Sequence, residues 1–189
     1  MAVANYHDAY GCFPPAYVAD RDGKPMHSWR VLILPFLEQR ELYDAYDFAE
    51  PWDGPNNRKL ADRVGMIYLR SGLESGHDRT TSFVAVVGPE TAWRGAESLS
   101  YKDLAEGTKD TLMVVEVPDG QFRWMEPRDL RFDRMSFRIN DGSGRGLGSR
   151  LGGARVVSAD GMVRTLPDGF DPVKLRAMLT ADGGEAIRE

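Results

Sequence analysis

Asn5-Tyr6-His7-Asp8-Ala9-Tyr10-Gly11-Cys12-Phe13-Pro14-Pro15 has the pattern of the last turns of a helix, and this stretch decides how the chain starts to fold. Gly11 fits the position after a helix end, and Pro14-Pro15 cannot continue the helix. Because a stub over residues 1–11 is too short to be stable alone, we expect either a truncated longer helix or a stub held by packing. Apolar residues recur at helical spacing: Ala2, Val3, Tyr6 and Tyr10.

The next segment combines turns with an interrupted helix. Pro14 to His27 is rich in Pro, Gly and Asp, which predicts a loop with a tight turn at Asp22-Gly23. Ser28 is a good N-cap for a helix that begins at Trp29, and Pro35 must kink this helix or split it in two. The predicted apolar face consists of Leu32, Phe36, Leu37, Tyr43 and Tyr46.

The middle of the chain carries strand patterns. Two segments, Gln121–Trp124 and Met135–Arg138, alternate as half-buried strands do. Asn140–Gly153 holds six glycines in fourteen residues, which predicts a mobile surface loop or a backbone that closely approaches another group. Short β-branched runs bounded by Gly, Pro or Asp are also predicted as strands: Met66–Leu69, Ser82–Val87 and Thr111–Val117.

A hairpin and a helix are predicted over residues 154–184. Ala154–Ser158 and Met162–Leu166 flank Ala159-Asp160-Gly161, and Asp-Gly favours a type I′ turn. Asp171 then caps a helix with Pro172 at its first position. The helix presents Leu175, Met178 and Leu179 on one face, and Gly183-Gly184 ends it.

The order of these elements predicts an α+β fold. Helices come first, antiparallel strands follow, and a final helix closes the chain, so we expect the N-terminal helix to pack on an antiparallel sheet with helices covering one face. A length of 189 residues with 42% apolar residues predicts one domain, 1–189.

Charge and composition exclude several classes of protein. The net charge of -5 argues against nonspecific binding of nucleic acid, which needs a cationic surface. The longest apolar run, Val31–Leu37, is far shorter than a membrane span, and the first residues have no signal-peptide pattern. The lone Cys12 cannot form an internal disulfide.

Several motifs in one order resemble the large planctomycete family of unknown function whose members carry a prepilin-type N-terminal cleavage and methylation segment. The likeness covers nearly the whole chain. It rests on Asn5–Gly11 with Phe13-Pro14-Pro15, His27–Gln39, Trp52–Asn57, Thr81–Gly88, and Ala159-Asp160-Gly161 with Leu175 to Gly184.

This resemblance implies a pilin-like or pseudopilin-like protein, in which a long apolar N-terminal helix anchors the subunit or packs in a filament and a globular head faces outward. It implies an extracytoplasmic or cell-surface location and protein subunits or cell-surface components as partners. Membrane contact is expected only through an N-terminal helix absent from this chain.

The sequence departs from the family pattern at three places. The apolar first half of the helix is absent from the sequence. Arg150 stands where the family motif has a His separated from Asp160-Gly161 by nine residues, so no imidazole role is carried over. Arg70-Ser71 replaces the Cys-Pro found in many relatives.

The residues predict no catalytic centre. A nucleophile of the Ser-His-acid type needs a base within reach, and the histidines His7, His27 and His77 do not lie in a recognisable nucleophile motif. Cys12 has no activating cluster beside it in the sequence. We therefore expect a protein that is not an enzyme and has no cofactor.

Calcium is the metal that the sequence suggests, through a few Asp and Asn side chains. Asp20-x-Asp22-Gly23 resembles a fragment of a calcium loop without its closing Glu, since position 31 is Val31. Asp133, Asn140 and Asp141 are the other candidate ligands, which could gather around a cation. Because Asp-Gly pairs are commoner in turns than in metal sites, structural roles are favoured for these residues.

Binding of a glycan or calcium by an extracytoplasmic module is the alternative function. Trp52, Trp93 and Trp124 would stack on sugar rings if they lined one exposed face, although loop tryptophans more often close the edge of a core. The alternating glycines Gly142–Gly148 lack the Lys-Ser/Thr pair and following helix of a phosphate loop, so a flexible loop is favoured there.

Overall fold

The computed structural model describes residues 1–63, 68, 80–118 and 122–182, and these have the predicted α+β fold. The α-helices are α1 Ala2–Tyr10, α2 Trp29–Leu32, α3 Arg40–Asp44 and α4 Pro172–Leu179, with 3₁₀ turns at Leu34–Leu37, Asn57–Leu60 and Tyr101–Asp103. The strands are β1 Tyr17–Ala19, β2 Pro25–Ser28, β3 Thr80–Thr81, β4 Phe83–Val84, β5 Val86–Val87, β6 Leu112–Glu116, β7 Phe122–Arg123, β8 Leu130–Arg131, β9 Ala154–Ser158 and β10 Val163–Leu166.

The central element is a four-stranded antiparallel sheet in the order β10-β9-β6-β4. Val157 of β9 lies opposite Val114 of β6 on one side and Val163 of β10 on the other. Two small antiparallel pairs, β1-β2 and β3-β7, and one parallel pair, β5-β8, surround it.

Helices lie on both faces of this sheet, whereas the sequence predicted them on one. Successive residues of a strand point to opposite faces, and Val156 packs with Leu175 and Met178 of α4. Its neighbour Val157 packs in a second cluster with Val3 of α1 and Trp29 of α2. The short helices thus cover separate faces of one sheet.

The N-terminal helix ends where the sequence predicted. Gly11 has a φ of 75° and donates its N–H to the His7 carbonyl at 2.7 Å, which closes the last turn. Val3 is buried in the cluster with α2 and the sheet, so packing holds this two-turn helix in place.

The predicted loop 14–27 is instead largely a β-hairpin. β1 and β2 pair antiparallel, with Tyr17 opposite Ser28. The predicted turn at Asp22-Gly23 connects the strands: the Asp20 carboxylate accepts the Asp22 and Lys24 N–H groups, and Gly23 has a φ of 82°. The strands have only three and four residues, so turn-forming residues dominate the composition and the sequence pattern predicts a loop.

The predicted helix from Trp29 is capped and broken as expected. The Ser28 hydroxyl accepts the Arg30 N–H at 3.2 Å, and a 3₁₀ turn that contains Pro35 replaces the helix after α2. The predicted apolar face is wrong in part, because Val31 and Leu34 are fully buried while Leu32 is half-buried. A 3.6-residue period cannot continue across such a break.

The predicted strand Ser82–Val87 is split into β4 and β5, which join different sheets. Between them the Ala85 N–H donates to Asp129 Oδ1 at 2.8 Å instead of to a neighbouring strand. A carboxylate from a distant loop therefore divides a run that looks continuous in sequence. By contrast, Thr111–Val117 is confirmed as β6, and Gln121–Trp124 contains β7.

Met135–Arg138 is not a strand, although its residues alternate. Ser136 makes only an isolated bridge to Gly146, and the nearby strand is β8 at Leu130–Arg131. In the Asn140–Gly153 segment, a Cβ on Gly146 would lie 2.8 Å from the Ser136 carbonyl oxygen. Close approach of the backbone therefore explains a glycine in this segment.

The C-terminal hairpin and helix are confirmed in their main features. Asp171 accepts the Val173 N–H at 2.9 Å, and Leu175, Met178 and Leu179 are buried. The turn is not type I′, which needs positive φ at both central residues. Gly161, with a φ of 84°, donates to the Ser158 carbonyl, and Asp160 lies outside the residues with positive φ.

Two predictions fall on residues that the structure leaves out. Gly183-Gly184, predicted to end the last helix, lies outside the described residues, and α4 ends at Leu179. Of the predicted strand Met66–Leu69, only Tyr68 is among the described residues.

Candidate functional site

A cleft of about 320 Å³ opens between the loop after α3 and β7. Among the described residues, its walls include an indole ring, two arginines and an aspartate, and its floor is apolar. A volume near 300 Å³ with a few polar groups is typical of a small-molecule site. The described lining residues are Trp52, Asp53, Arg58, Ala61, Arg123, Trp124 and Met125.

The loop that carries Trp52 and Asp53 is built around the buried side chain of Asn57. Asn57 Nδ2 donates to the carbonyl oxygens of Asp47 at 2.8 Å and Pro51 at 3.1 Å, while Asn57 Oδ1 accepts the Asp47 N–H at 2.9 Å. One amide thus ties both ends of the loop together, which fixes the residues between them.

A glutamate and a glycine complete this loop. Glu50 Oε1 accepts the N–H groups of Asn56 at 2.7 Å and Asn57 at 2.6 Å. A Cβ on Gly54 would lie 2.5 Å from the Glu50 carboxyl carbon, so a larger residue there would displace the carboxylate that accepts these two N–H groups. The Trp52 N–H donates to the Met26 carbonyl at 3.0 Å, which attaches the loop to β2.

The floor of the cleft is a second tryptophan held by its indole. Trp124 is 1% exposed, and its Nε1 donates to the Ala61 carbonyl at 2.9 Å. Its ring stacks on Tyr68 with 5.8 Å between centroids, and the Tyr68 hydroxyl donates to the Arg30 carbonyl at 2.7 Å. These contacts connect the cleft to the interior.

Below this floor lies a buried ion pair. Arg30 Nη2 donates to Asp129 Oδ1 at 2.5 Å, and both side chains are at most 2% exposed. Trp29 Nε1 and the Ala85 N–H donate to the same oxygen, and Arg30 Nε donates to the Phe83 carbonyl. Burial raises the pKa of the Asp129 carboxyl, whereas Arg30 and the hydrogen bonds oppose that shift.

The two guanidinium groups at the cleft differ from the paired arginines elsewhere. Arg58 Nε donates to the Asp53 backbone carbonyl at 3.2 Å, and in the described residues Arg123 has no hydrogen-bond or ion-pair partner for its side chain. By contrast, Arg131 is paired with the Asp133 carboxylate at 3.0 Å. The described lining therefore carries a net charge of about +1.

The histidines are held by aromatic and backbone contacts. His27 Nδ1 lies 3.0 Å from the Tyr46 hydroxyl, and burial lowers the pKa of His27 while the Phe48 backbone and the Asp47 charge oppose that effect. His7 Nε2 accepts the Tyr101 N–H at 3.3 Å. The contacts of these two histidines involve no Ser, Thr or Cys side chain in the part of the chain described, and His77 lies outside it.

The residues predicted as calcium ligands each take part in a local structural contact. Asp20 closes its own hairpin, and Asp22 contributes its N–H to that turn. Arg131 and Arg134 flank Asp133, and the hydrogen bond from Arg131 lowers the pKa of Asp133. Hydrogen bonds from the Ser136 and Ser143 hydroxyls lower the pKa of Asp141. Among the described residues, no group of three or more His, Cys, Asp or Glu side chains could hold a metal ion.

The three tryptophans considered for sugar stacking do not share an exposed face. Trp93 and Trp124 are each 1% exposed and belong to the core, whereas Trp52 is half-buried at the cleft. Arg58 and Arg123 were not predicted as site residues. The alternation around β7 did indicate that Arg123 faces outward, but nothing in the sequence indicated that it lies across from Trp52.

Comparisons with known proteins place the chain in one family. A family model described as "Protein of unknown function (DUF1559)" matches residues 1–143. No curated protein and no solved structure matches the chain. In the described ranges, no helix has the length and apolar character needed to cross a membrane.

Proposed function

The chain belongs to the family of proteins of unknown function named DUF1559, and we propose that it is a noncatalytic, pilin-like protein outside the cytoplasm. Its head would contact other protein subunits or cell-surface components. The observation that carries this proposal is the packing of α1 against a four-stranded antiparallel sheet, the arrangement that the resemblance implies.

The contacts of α1 support this role. Val3 is buried with Trp29, while Tyr10 on the same helix is 60% exposed. The Tyr10 ring lies 4.5 Å from Tyr6 and 6.3 Å from Phe36, centroid to centroid. One side of α1 is thus fixed on the domain, and the end of the helix offers an aromatic cluster to a partner.

Protease treatment of intact source cells tests the location. We expect an antibody against this chain to detect its loss when protease is added outside the cells, while a cytoplasmic marker protein remains intact. Protection of the chain together with that marker would contradict an extracytoplasmic location.

Site-specific photo-crosslinking in the same cells tests the subunit contact. A photoreactive residue at Tyr10 is expected to give crosslinks to protein partners. The matched control is Val173, which is 70% exposed on α4 at the other face of the sheet. Equal crosslinking at the two positions would argue against a partner surface on α1.

A noncatalytic role agrees with the partners of the potential bases. His27 lies between aromatic rings, with centroids 5.5 Å from Tyr46 and 5.2 Å from Phe48. His7 packs 3.9 Å from Tyr101. Labelling with activity-based hydrolase probes tests this part of the proposal, and we expect none.

A glycan-binding module is the second candidate function, and the cleft at Trp52 favours it. The half-buried indole lies beside polar groups in a cleft of about 320 Å³, as in sites that bind small polar molecules. Calorimetric titration with a panel of oligosaccharides tests this function, and a parallel titration with calcium tests whether any carboxylate site binds that ion. A binding heat in the calcium titration, with none in the oligosaccharide titrations, would favour a calcium-binding module over a glycan-binding one.

A further inference from the structure

We propose that the cleft between Trp52 and Arg123 binds a saccharide that carries a carboxylate or a sulfate group. This inference rests on the second candidate function and names its ligand class. It follows from three features of the described lining: two guanidinium groups free of carboxylate partners, one indole whose N–H has no acceptor, and one carboxylate.

The guanidinium groups determine the charge of the ligand. Arg58 uses Nε on the Asp53 backbone carbonyl, which leaves its two Nη groups for a ligand. The Arg123 guanidinium makes no hydrogen bond or ion pair with any described residue, so all of its N–H groups can bind a ligand. Carboxylate and sulfate oxygens match this planar fork with two parallel hydrogen bonds.

The indole of Trp52 determines the shape of the ligand. The other three tryptophans each donate their Nε1–H to a protein oxygen: Trp29 to Asp129, Trp93 to Met113 and Trp124 to Ala61. Among the described residues, Trp52 Nε1 has no such acceptor. An indole with an open face and a free N–H provides an apolar platform with a polar end, which suits the C–H face and hydroxyl groups of a pyranose ring.

Asp53 separates this ligand class from purely anionic ones. Asp53 lines the same cleft. A carboxylate accepts hydrogen bonds only, so it favours hydroxyl groups and repels a second negative charge. A sugar with one anionic group can pair that group with the arginines and donate its hydroxyl groups to Asp53. A polyphosphate or a nucleic-acid strand does not.

Nuclear magnetic resonance of the 189-residue chain tests the inference through the four indole N–H signals. The Trp52 signal is assigned by its loss in Trp52→Phe, which keeps an aromatic ring at this position. Glucuronate and glucose 6-sulfate are titrated as the acidic sugars, and glucose is the matched neutral probe. We expect the acidic sugars to shift the Trp52 signal with at least about tenfold higher affinity than glucose, as two charge-assisted hydrogen bonds predict.

Two exposed arginines provide matched variants that leave the core unchanged. Arg123→Gln is expected to remove the preference for acidic sugars, while Arg21→Gln, a variant in the β1-β2 turn, leaves it intact. Equal affinity for glucose and glucuronate would overturn the inference but leave the glycan-binding function standing. No shift with any sugar, oligosaccharides included, would overturn both. Tighter binding of inorganic sulfate or of adenosine monophosphate than of either acidic sugar would overturn the saccharide assignment.

Discussion

Asp129 is a buried carboxylate that joins parts of the chain far apart in sequence. Its Oδ1 accepts hydrogen bonds from Arg30, Trp29 and the Ala85 N–H, so it connects α2, the residue between β4 and β5, and the loop before β8. Nothing in the sequence distinguishes it from Asp133, four residues later, which is exposed and pairs with Arg131. Burial makes the difference, because a buried charge without its partner is costly and an exposed one is not.

Asp129→Ala is expected to lower the free energy of unfolding by about 3–5 kcal/mol, since it leaves the buried Arg30 charge without its carboxylate. Urea denaturation followed by tryptophan fluorescence measures the change. Asp133→Ala is the matched control, with little effect expected because its ion pair is exposed to solvent. Equal losses in the two variants would contradict the structural role of the buried pair.

His27 makes stability depend on pH. Burial holds its pKa below the ordinary value, so the unfolded chain binds a proton more readily than the folded one. Stability from this residue is therefore complete above about pH 6.5 and decreases as the pH falls through that value. The measurement is the free energy of unfolding between pH 7 and pH 5, and His27→Gln is expected to reduce its slope. An unchanged slope in this variant would assign the pH dependence to other groups.

At the scale of elements, the predictions succeeded where a local signal fixes the backbone. Gly11 ended α1, Ser28 and Asp171 capped their helices, and Pro35 stopped α2. They failed where a distant group decided the pairing, as at Ala85, which bonds to Asp129 instead of continuing a strand. Alternation alone did not make Met135–Arg138 a strand, because no described strand lies beside it to pair along its length.

The glycine-rich segment is the element whose packing gives the clearest test. A Cβ on Gly148 would overlap Asn140 Oδ1, the atom that accepts the Ser149 N–H. Gly148→Ala is therefore expected to cost about 1–3 kcal/mol, the range for overpacking at a closely packed site. Thermal unfolding measures the loss. Gly169→Ala is the control, because a Cβ there meets no atom within 4 Å, and a similar loss in both variants would argue against close packing at Gly148.

At the scale of the whole molecule, the two faces of the sheet have separate layers. α4 covers one face and α1 with α2 covers the other, so each helix is stabilised by a different apolar cluster. The cleft lies apart from both layers. It is next to a third buried apolar cluster, which contains Trp124 and Tyr46. The fold thus separates the surface proposed for partner proteins from the cleft proposed for a sugar.

Val3→Asp tests whether α1 depends on its packing against the sheet. An unpaired charge at this buried position is expected to release α1 locally and to accelerate hydrogen exchange of its amides at least about tenfold, while β6 and β9 stay protected. Asn5→Asp adds the same charge at an exposed position of the same helix and is expected to change little. Equal acceleration in β6 would indicate that helix and sheet unfold as one unit.

The sequence by itself determined the fold class, the ends of α1 and α2, the strand β6 and the C-terminal hairpin with α4. These features depend on capping groups, proline and apolar periodicity, which act over a few residues. The extent of the domain over 1–189, the location and the absence of catalysis stay predictions. Only the tertiary structure decided which charges are buried and which residues line the cleft. Arg30 meets Asp129 from 99 positions away, and Trp52 and Arg123 line one cleft although they are distant in sequence. Long-range packing sets burial, and burial decides what a charged or aromatic side chain does.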